Sequence, residues 1–134
     1  MIWSDKLPKP SQIIRTKVSF YYHYGIFISD DEIIQFGLPN APSNLSENIR
    51  VLATDIITFL GGGELETAIP AREEKKRMRS PKEIIKIARS RIGEGGYDIL
   101  HNNCEHFVNS CVFGTNTSSF VESVRSEIRK KLKK

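Results

Sequence analysis

The sequence predicts one domain of the α+β class. Three observations carry this reading. Residues Ile13 to Phe36 are dominated by β-branched and aromatic side chains, interrupted by a short polar turn. Later segments pair a helix-capping residue with apolar residues at three- and four-residue steps. The chain has 134 residues, enough for a single hydrophobic core and too few for two. With 39% hydrophobic and 27% charged residues, its composition is that of a folded protein, neither disordered nor fibrous.

The elements follow in order. Pro8 and Pro10 punctuate the N-terminal segment, assigned to residues 1–12. Ile13–Phe20 and Tyr22–Ile28 read as strands, Ser29-Asp30-Asp31 as a tight turn, and Glu32–Phe36 as the returning strand of a hairpin. Gly37–Asn48, rich in Pro, Asn and Ser, reads as a loop. Ile49–Leu52 suits a short strand. Thr54-Asp55 then caps a short helix that ends in Gly61-Gly62-Gly63. Leu65–Ile69 is a further strand, and Ala71–Arg79 is a charge run suited to a solvated loop or a helix start.

Ser80-Pro81-Lys82-Glu83 opens a helix: Ser caps, Pro fits the first helical position, and Glu returns a bond to the cap. Ile84, Ile85, Ile87 and Ala88 give it an apolar stripe. An Asn at the Asn102-Asn103 pair caps the next helix, on which Phe107, Val108, Cys111 and Val112 recur at helical spacing. Ser119–Glu122 has a capping-box spacing and precedes Phe120, Val124, Ile128 and Leu132, one every fourth residue.

The formal charge of +4 is unevenly placed. Arg125–Lys134 holds six basic residues and one acid, leaving 14 basic and 15 acidic residues elsewhere. This argues against nucleic acid as a partner and for one basic C-terminal element. No apolar run approaches the ~18–20 residues of a membrane span. Met1–Pro10 lacks the apolar stretch of a signal peptide. Cys104 and Cys111, seven apart on a predicted helix, would stand roughly 10 Å apart, beyond disulfide reach. Free thiols without an export signal predict a reducing, cytoplasmic setting.

Cys104 with His23 is the candidate site. A cysteine at a helix start is favoured as thiolate, because the free N–H groups and the positive dipole end stabilise the anion. The same N–H groups suit an oxyanion. Three histidines compete for the role of base. His106 lies two residues after Cys104 and points some ~200° around the helix. His101 sits in an irregular segment. His23 lies on a predicted strand, a rigid platform, and Gln35 on the neighbouring strand is placed to orient its imidazole. The competing readings are a small buried apolar cysteine, a structural histidine, and a zinc site of His101, Cys104, His106 and Cys111. The zinc set lacks the paired spacings of such sites. Gly61–Gly63 and Gly93–Gly96 lack the context of a phosphate-binding loop. Tyr97 reads as a core tyrosine near the site, and Asn103 as the helix cap.

Tyr22-His23-Tyr24-Gly25-Ile26-Phe27-Ile28, followed by Asp30 and Ile33-Ile34-Gln35, resembles the first block of the lecithin:retinol acyltransferase family. Asn103-Cys104-Glu105-His106-Phe107-Val108-Asn109 resembles its second block. Phe113-Gly114 with Ser118 resembles its H-Ras-like suppressor branch. The similarity runs from about Ile13 to Val121, which sets domain limits of 13–121, with 122–134 as a basic C-terminal helix or tail. The resemblance implies a permuted papain-like, NlpC-type fold: an antiparallel sheet packed against helices, with the nucleophile at a helix N-terminus.

It implies Cys104 as nucleophile, His23 as base, and a phospholipid or other acyl ester or amide as substrate. The expected reaction is acyl transfer or phospholipase A hydrolysis through a Cys104 thioester, with no cofactor or metal. The family's animal members usually carry histidine where Gln35 stands. They also commonly end in an apolar anchor, for which this chain has a basic end that suits an anionic membrane surface. Two alternatives stand beside this reading. One is a cysteine peptidase or amidase of the NlpC type, and the other is a non-catalytic interaction domain that keeps the fold.

Overall fold

A computed structural model describes residues 1–39, 49–99, 102–114 and 119–133, excluding the side chains of 119–124. Among these, β1 (Ile2–Ser4), β2 (Ile13–Val18), β3 (Tyr21–Ser29), β4 (Glu32–Phe36), β5 (Val51–Thr54) and β6 (Glu66–Ile69) form one sheet. Its order is β1-β6-β2-β3-β4-β5, and each neighbouring pair is antiparallel. The helices are α1 (Ile56–Leu60), α2 (Arg72–Arg77), α3 (Pro81–Ser90), α4 (Cys104–Phe113) and α5 (Ser119–Leu132). The α+β class and the antiparallel sheet agree with the sequence reading.

Side-chain alternation along the strands divides the sheet into two faces. One face presents Ile13, Tyr24, Ile26, Ile34 and Phe36. It packs on Ile84 and Ala88 of α3 and on Phe107, Val108, Cys111 and Val112 of α4. The other presents Ile14, Phe27 and Ile33 to Phe59 of the short helix α1. His23 and Gln35 fall on this second face, because they alternate with Tyr24 and Phe36. Within α3 the stripe is narrower than its four apolar residues suggest. Ile84 and Ala88 are buried, while Ile85 and Ile87 lie at the rim.

Two local differences, and the outcome of one open reading, have physical reasons. The strand expected to reach Phe20 stops at Val18, because Ser19 turns in the left-handed region at φ 58°. The charge run forms α2, whose start is closed by the Glu74 carboxylate accepting the Ala71 N–H at 2.8 Å. Glu73 and Glu74 stand in the first turn and Lys75, Lys76 and Arg77 in the last, matching the helix dipole. Before Ile13, Ile2–Ser4 pair with Thr67–Ile69 as an edge strand. That strand is stabilised by Arg15, whose guanidinium lies 4.0 Å from the Trp3 ring and 3.8 Å from the Tyr22 ring. Arg15 also bonds Glu66 at 3.0 Å. Three residues beside two prolines carry too little periodicity to read as a strand.

Both ends of α4 are secured. The Arg79 guanidinium donates to the carbonyls of Ser110 and Cys111 at 2.6 and 2.8 Å, placing a cation at the negative end of the helix. The other end meets the sheet and is described below. α5 forms over the predicted stretch; Ile128 and Leu132 are exposed on it. The side chains of Phe120 and Val124, and Ser118 as a whole, lie outside the described residues. No described helix is long and apolar enough to cross a membrane.

Gly25 sits directly against the Phe59 ring of α1. A Cβ there would stand 2.7 Å from Phe59 Cε1 and 2.9 Å from Ile33 Cγ2. Gly25→Ala should therefore destabilise the fold by about 1–3 kcal/mol, the usual cost of overpacking. Urea unfolding monitored by circular dichroism measures it, and an unchanged midpoint would remove the packing argument.

Candidate active site

α4 begins at Cys104 because Asn103 caps it. The Asn103 side-chain oxygen accepts the His106 N–H at 2.9 Å, and His106 Nδ1 accepts the Asn103 N–H at 3.0 Å. This reciprocal capping box occupies Nδ1 of His106 and turns its ring into the cap. His106 is thus a structural histidine, and Asn103 is the expected cap. His101 lies outside the described residues. Cys111 packs inside the core, with its sulfur 3.8 Å from Arg91 Nη1.

The first turn of α4 meets the sheet where a β-ladder stops. Phe27 donates its N–H to Gln12 on the β2 side, so the N–H groups of Ile26 and Tyr24 point toward β4. Ile26 pairs with Ile34, and the β3–β4 ladder ends at Gly25–Gln35. Beyond it, β4 stays with β5 through Phe36–Val51 and leaves β3. The Tyr24 N–H, on that side of β3, donates to the sulfur of Cys104. The thiol therefore touches the backbone of the residue that follows His23.

His23 is buried, and its ring lies 5.3 Å from that of Phe59. Its Nε2 stands 2.6 Å from Gln35 Oε1, and Gln35 Nε2 donates to Thr54 Oγ1 at 2.6 Å. Gln35 is fully buried. The expected cross-strand pairing of His23 with Gln35 is present, on the diagonal of the hairpin register. Sequence reasoning missed two contributors. The Tyr24 N–H is backbone and has no sequence signal. Thr54 stood next to a predicted cap and read only as part of a helix boundary. Tyr97 packs edge-on to Phe36 at 5.1 Å and joins Tyr21 in the electrostatic surroundings of the thiol.

The electrostatics differ from the expectation for a helix start. Burial pushes the Cys104 thiol up to about 11, although the N–H groups of Tyr24, Glu105 and Cys104 favour the anion. Loss of water outweighs these dipoles. Burial likewise lowers His23 to about 4, opposed by its bond to Gln35. The arrangement holds a neutral thiol and a neutral imidazole around one backbone position, with N–H donors converging on the sulfur.

The family profile described as lecithin retinol acyltransferase matches residues 6–117. The chain belongs to the lecithin retinol acyltransferase family. It is 25% identical over 126 residues to human phospholipase A and acyltransferase 3, covering 87% of this chain and 78% of that protein. Identity to bovine lecithin retinol acyltransferase is 26% over 132 residues, covering 80% of this chain and 57% of that protein. Rat phospholipase A and acyltransferase 5 is 27% identical over 137 residues, covering 92% and 45%. Both blocks quoted for the lecithin retinol acyltransferase resemblance lie within the matched span.

A neutral pair has a distinct pH signature. The Cys104 thiolate fraction grows only as pH rises toward about 11. Alkylation of Cys104 by iodoacetamide, followed by peptide mapping to separate it from Cys111, should climb steadily through the alkaline range. A plateau between about pH 5 and 8, the signature of a stable thiolate–imidazolium pair, would contradict the neutral assignment.

Proposed function

We propose that this protein is a thiol-dependent acyltransferase or phospholipase A acting on phospholipid acyl esters through a thioester on Cys104. One observation carries the reading: the thiol at the start of α4 bonds to the backbone beside His23, whose imidazole is held by Gln35. Membership of the family and the names of its relatives supply the substrate class. The assigned architecture is permuted papain-like, of the NlpC type. Residues 13–121 are the catalytic unit, 1–12 an N-terminal segment and 122–134 a basic C-terminal element.

The reaction begins with a neutral pair. Nε2 of His23 faces Gln35, so Nδ1 is the nitrogen left for the thiol. Nδ1 takes the proton from Cys104 as the sulfur attacks the acyl carbonyl carbon. Backbone N–H groups around Cys104 hold the oxyanion. The carbon–oxygen bond of the ester breaks, His23 returns the proton to the leaving alcohol, and the acyl group remains as a thioester. Water, or an acceptor hydroxyl or amine, then attacks the thioester with His23 as base, and the thiol is restored. The lowered imidazole keeps His23 in its basic form down to about pH 4. The acid limb of kcat/KM therefore lies near 4, below the usual histidine range.

Intact-protein mass spectrometry after incubation with phosphatidylcholine vesicles tests the proposal. The wild type should gain the mass of one acyl chain, released by hydroxylamine, and Cys104→Ala should gain none. His23→Ala should lower turnover by ~10²–10⁴, the range for a general base. Gln35→Ala should lower it roughly tenfold, the value of one hydrogen bond. An adduct formed only with peptide substrates would indicate a cysteine peptidase. No adduct with either would indicate a non-catalytic domain.

The basic C-terminal element is assigned to anionic lipid, with a cytoplasmic, membrane-peripheral location. Arg129, Lys130 and Lys131 crowd the last turn of α5 beside exposed Ile128 and Leu132. Removal of residues 125–134 should reduce flotation with phosphatidylserine vesicles and leave binding to neutral vesicles unchanged. Equal flotation on anionic vesicles would end this assignment.

A further inference from the structure

Gln35 presents a problem that a carboxylate would not. Its amide has an acceptor end and a donor end of nearly identical shape, and the wrong end toward His23 reverses the imidazole. If Gln35 Nε2 faced His23, the Nε2 nitrogen of His23 would have to accept. Its ring proton would then sit on Nδ1, the atom needed as proton acceptor. Some group must fix the amide, and it cannot be His23, which satisfies either orientation by changing tautomer.

That group stands at the end of β5. Thr54 Oγ1 receives the Gln35 Nε2–H at 2.6 Å and donates its own proton to the Asp55 carbonyl at 3.0 Å. A carbonyl only accepts, so the direction of this chain of bonds is set at Asp55. The hydroxyl proton of Thr54 is committed to that carbonyl, which leaves the hydroxyl as acceptor for Gln35. The amide nitrogen of Gln35 must then point to Thr54 and its oxygen to His23. The imidazole must carry its proton on Nε2, and Nδ1 keeps a free lone pair.

The Asp55 carbonyl is itself fixed. It accepts the Phe59 N–H at 3.1 Å as the first bond of α1, and the Asp55 side chain caps that helix by accepting the Thr58 N–H at 2.7 Å. Thr54 is held by its register opposite Ile33 in β4. The helix that sets the chain's direction also supplies Phe59, the ring against His23.

We infer that Thr54 is a positioning residue. Through the Gln35 amide, it and the Asp55 carbonyl hold His23 as the Nε2–H tautomer and keep Nδ1 free to take a proton. The catalytic consequence rests on the acyl-transfer reading above, while the tautomer itself does not.

The test separates the two. Nitrogen-15 NMR of histidine-labelled protein, without substrate, reads which imidazole nitrogen carries the proton. His23 is assigned by difference from His23→Asn. The wild type should show His23 protonated on Nε2. Thr54→Val, which keeps the shape and removes the hydroxyl, should give a mixture of tautomers and a kcat lowered about two- to tenfold, in proportion to the loss of the Nε2–H form, with KM unchanged. Thr54→Ser should restore both.

In a Gln35→Glu background, where both oxygens accept, adding Thr54→Val should no longer alter the tautomer. A wild-type proton on Nδ1 would overturn the inference even if Thr54→Val failed to fold. So would a folded Thr54→Val with wild-type tautomer and turnover, or a shift that persists in the Gln35→Glu background. A tautomer that responds as expected in a protein without acyl transfer would support the positioning role and reject the activity.

Discussion

The end of the β3–β4 ladder at Gly25–Gln35 is the constraint on which the arrangement depends. Up to that pair, backbone groups of the two strands satisfy one another. Past it, β4 follows β5, and the Tyr24 N–H donates to the sulfur of Cys104. That bond ties the first turn of α4 to the backbone of β3. The cap at Asn103 and the Arg79 clamp at the far end of α4 fix the helix that delivers the sulfur. Two faces of one sheet thereby supply two halves of the candidate site. Cys104 comes from the α4 side, and His23 and Gln35 come from the α1 side.

Burial gives the site its character. The same exclusion of water that makes the sheet stable disfavours charge on both Cys104 and His23. The resting state is then two neutral groups, and in the reaction proposed above the proton transfers as the sulfur attacks. In that reaction the developing charge falls on the acyl carbonyl oxygen, which the N–H groups around Cys104 would hold. A glutamine as orienting group is compatible with such a site. It fixes an imidazole without bringing a second charge into it, provided that its own amide is held.

Much of this was legible in the sequence, and the remainder has identifiable causes. The β3–β4 hairpin stood out because Tyr22–Ile28 and Ile33–Phe36 are dense in strand formers around Asp30-Asp31, and the structure turns there. Ser80-Pro81 and Asn103 announced two helices through their caps, and both caps are present. The pairing of His23 with Gln35 followed from hairpin geometry. The thiol was a different matter. A helix start predicts a stabilised thiolate, but the depth at which Cys104 sits is a tertiary property that no local pattern encodes. The Tyr24 N–H and the Thr54 hydroxyl escaped for the same reason: one is backbone, and the other acquires its role only when β5 lies beside β4. The edge strand at Ile2–Ser4 depends on Arg15 and on β6, more than sixty residues away in the chain.

The central claim is that a buried, neutral thiol–imidazole pair moves its proton while the carbon–sulfur bond forms. The solvent hydrogen isotope effect on acylation of Cys104, measured by single-turnover kinetics on a phospholipid ester, tests it most directly. A normal effect, with slower acylation in deuterium oxide, is the expected result, because a proton is in flight in the transition state. An absent or inverse effect would contradict the account, since it would mean that the thiolate already existed before the substrate arrived.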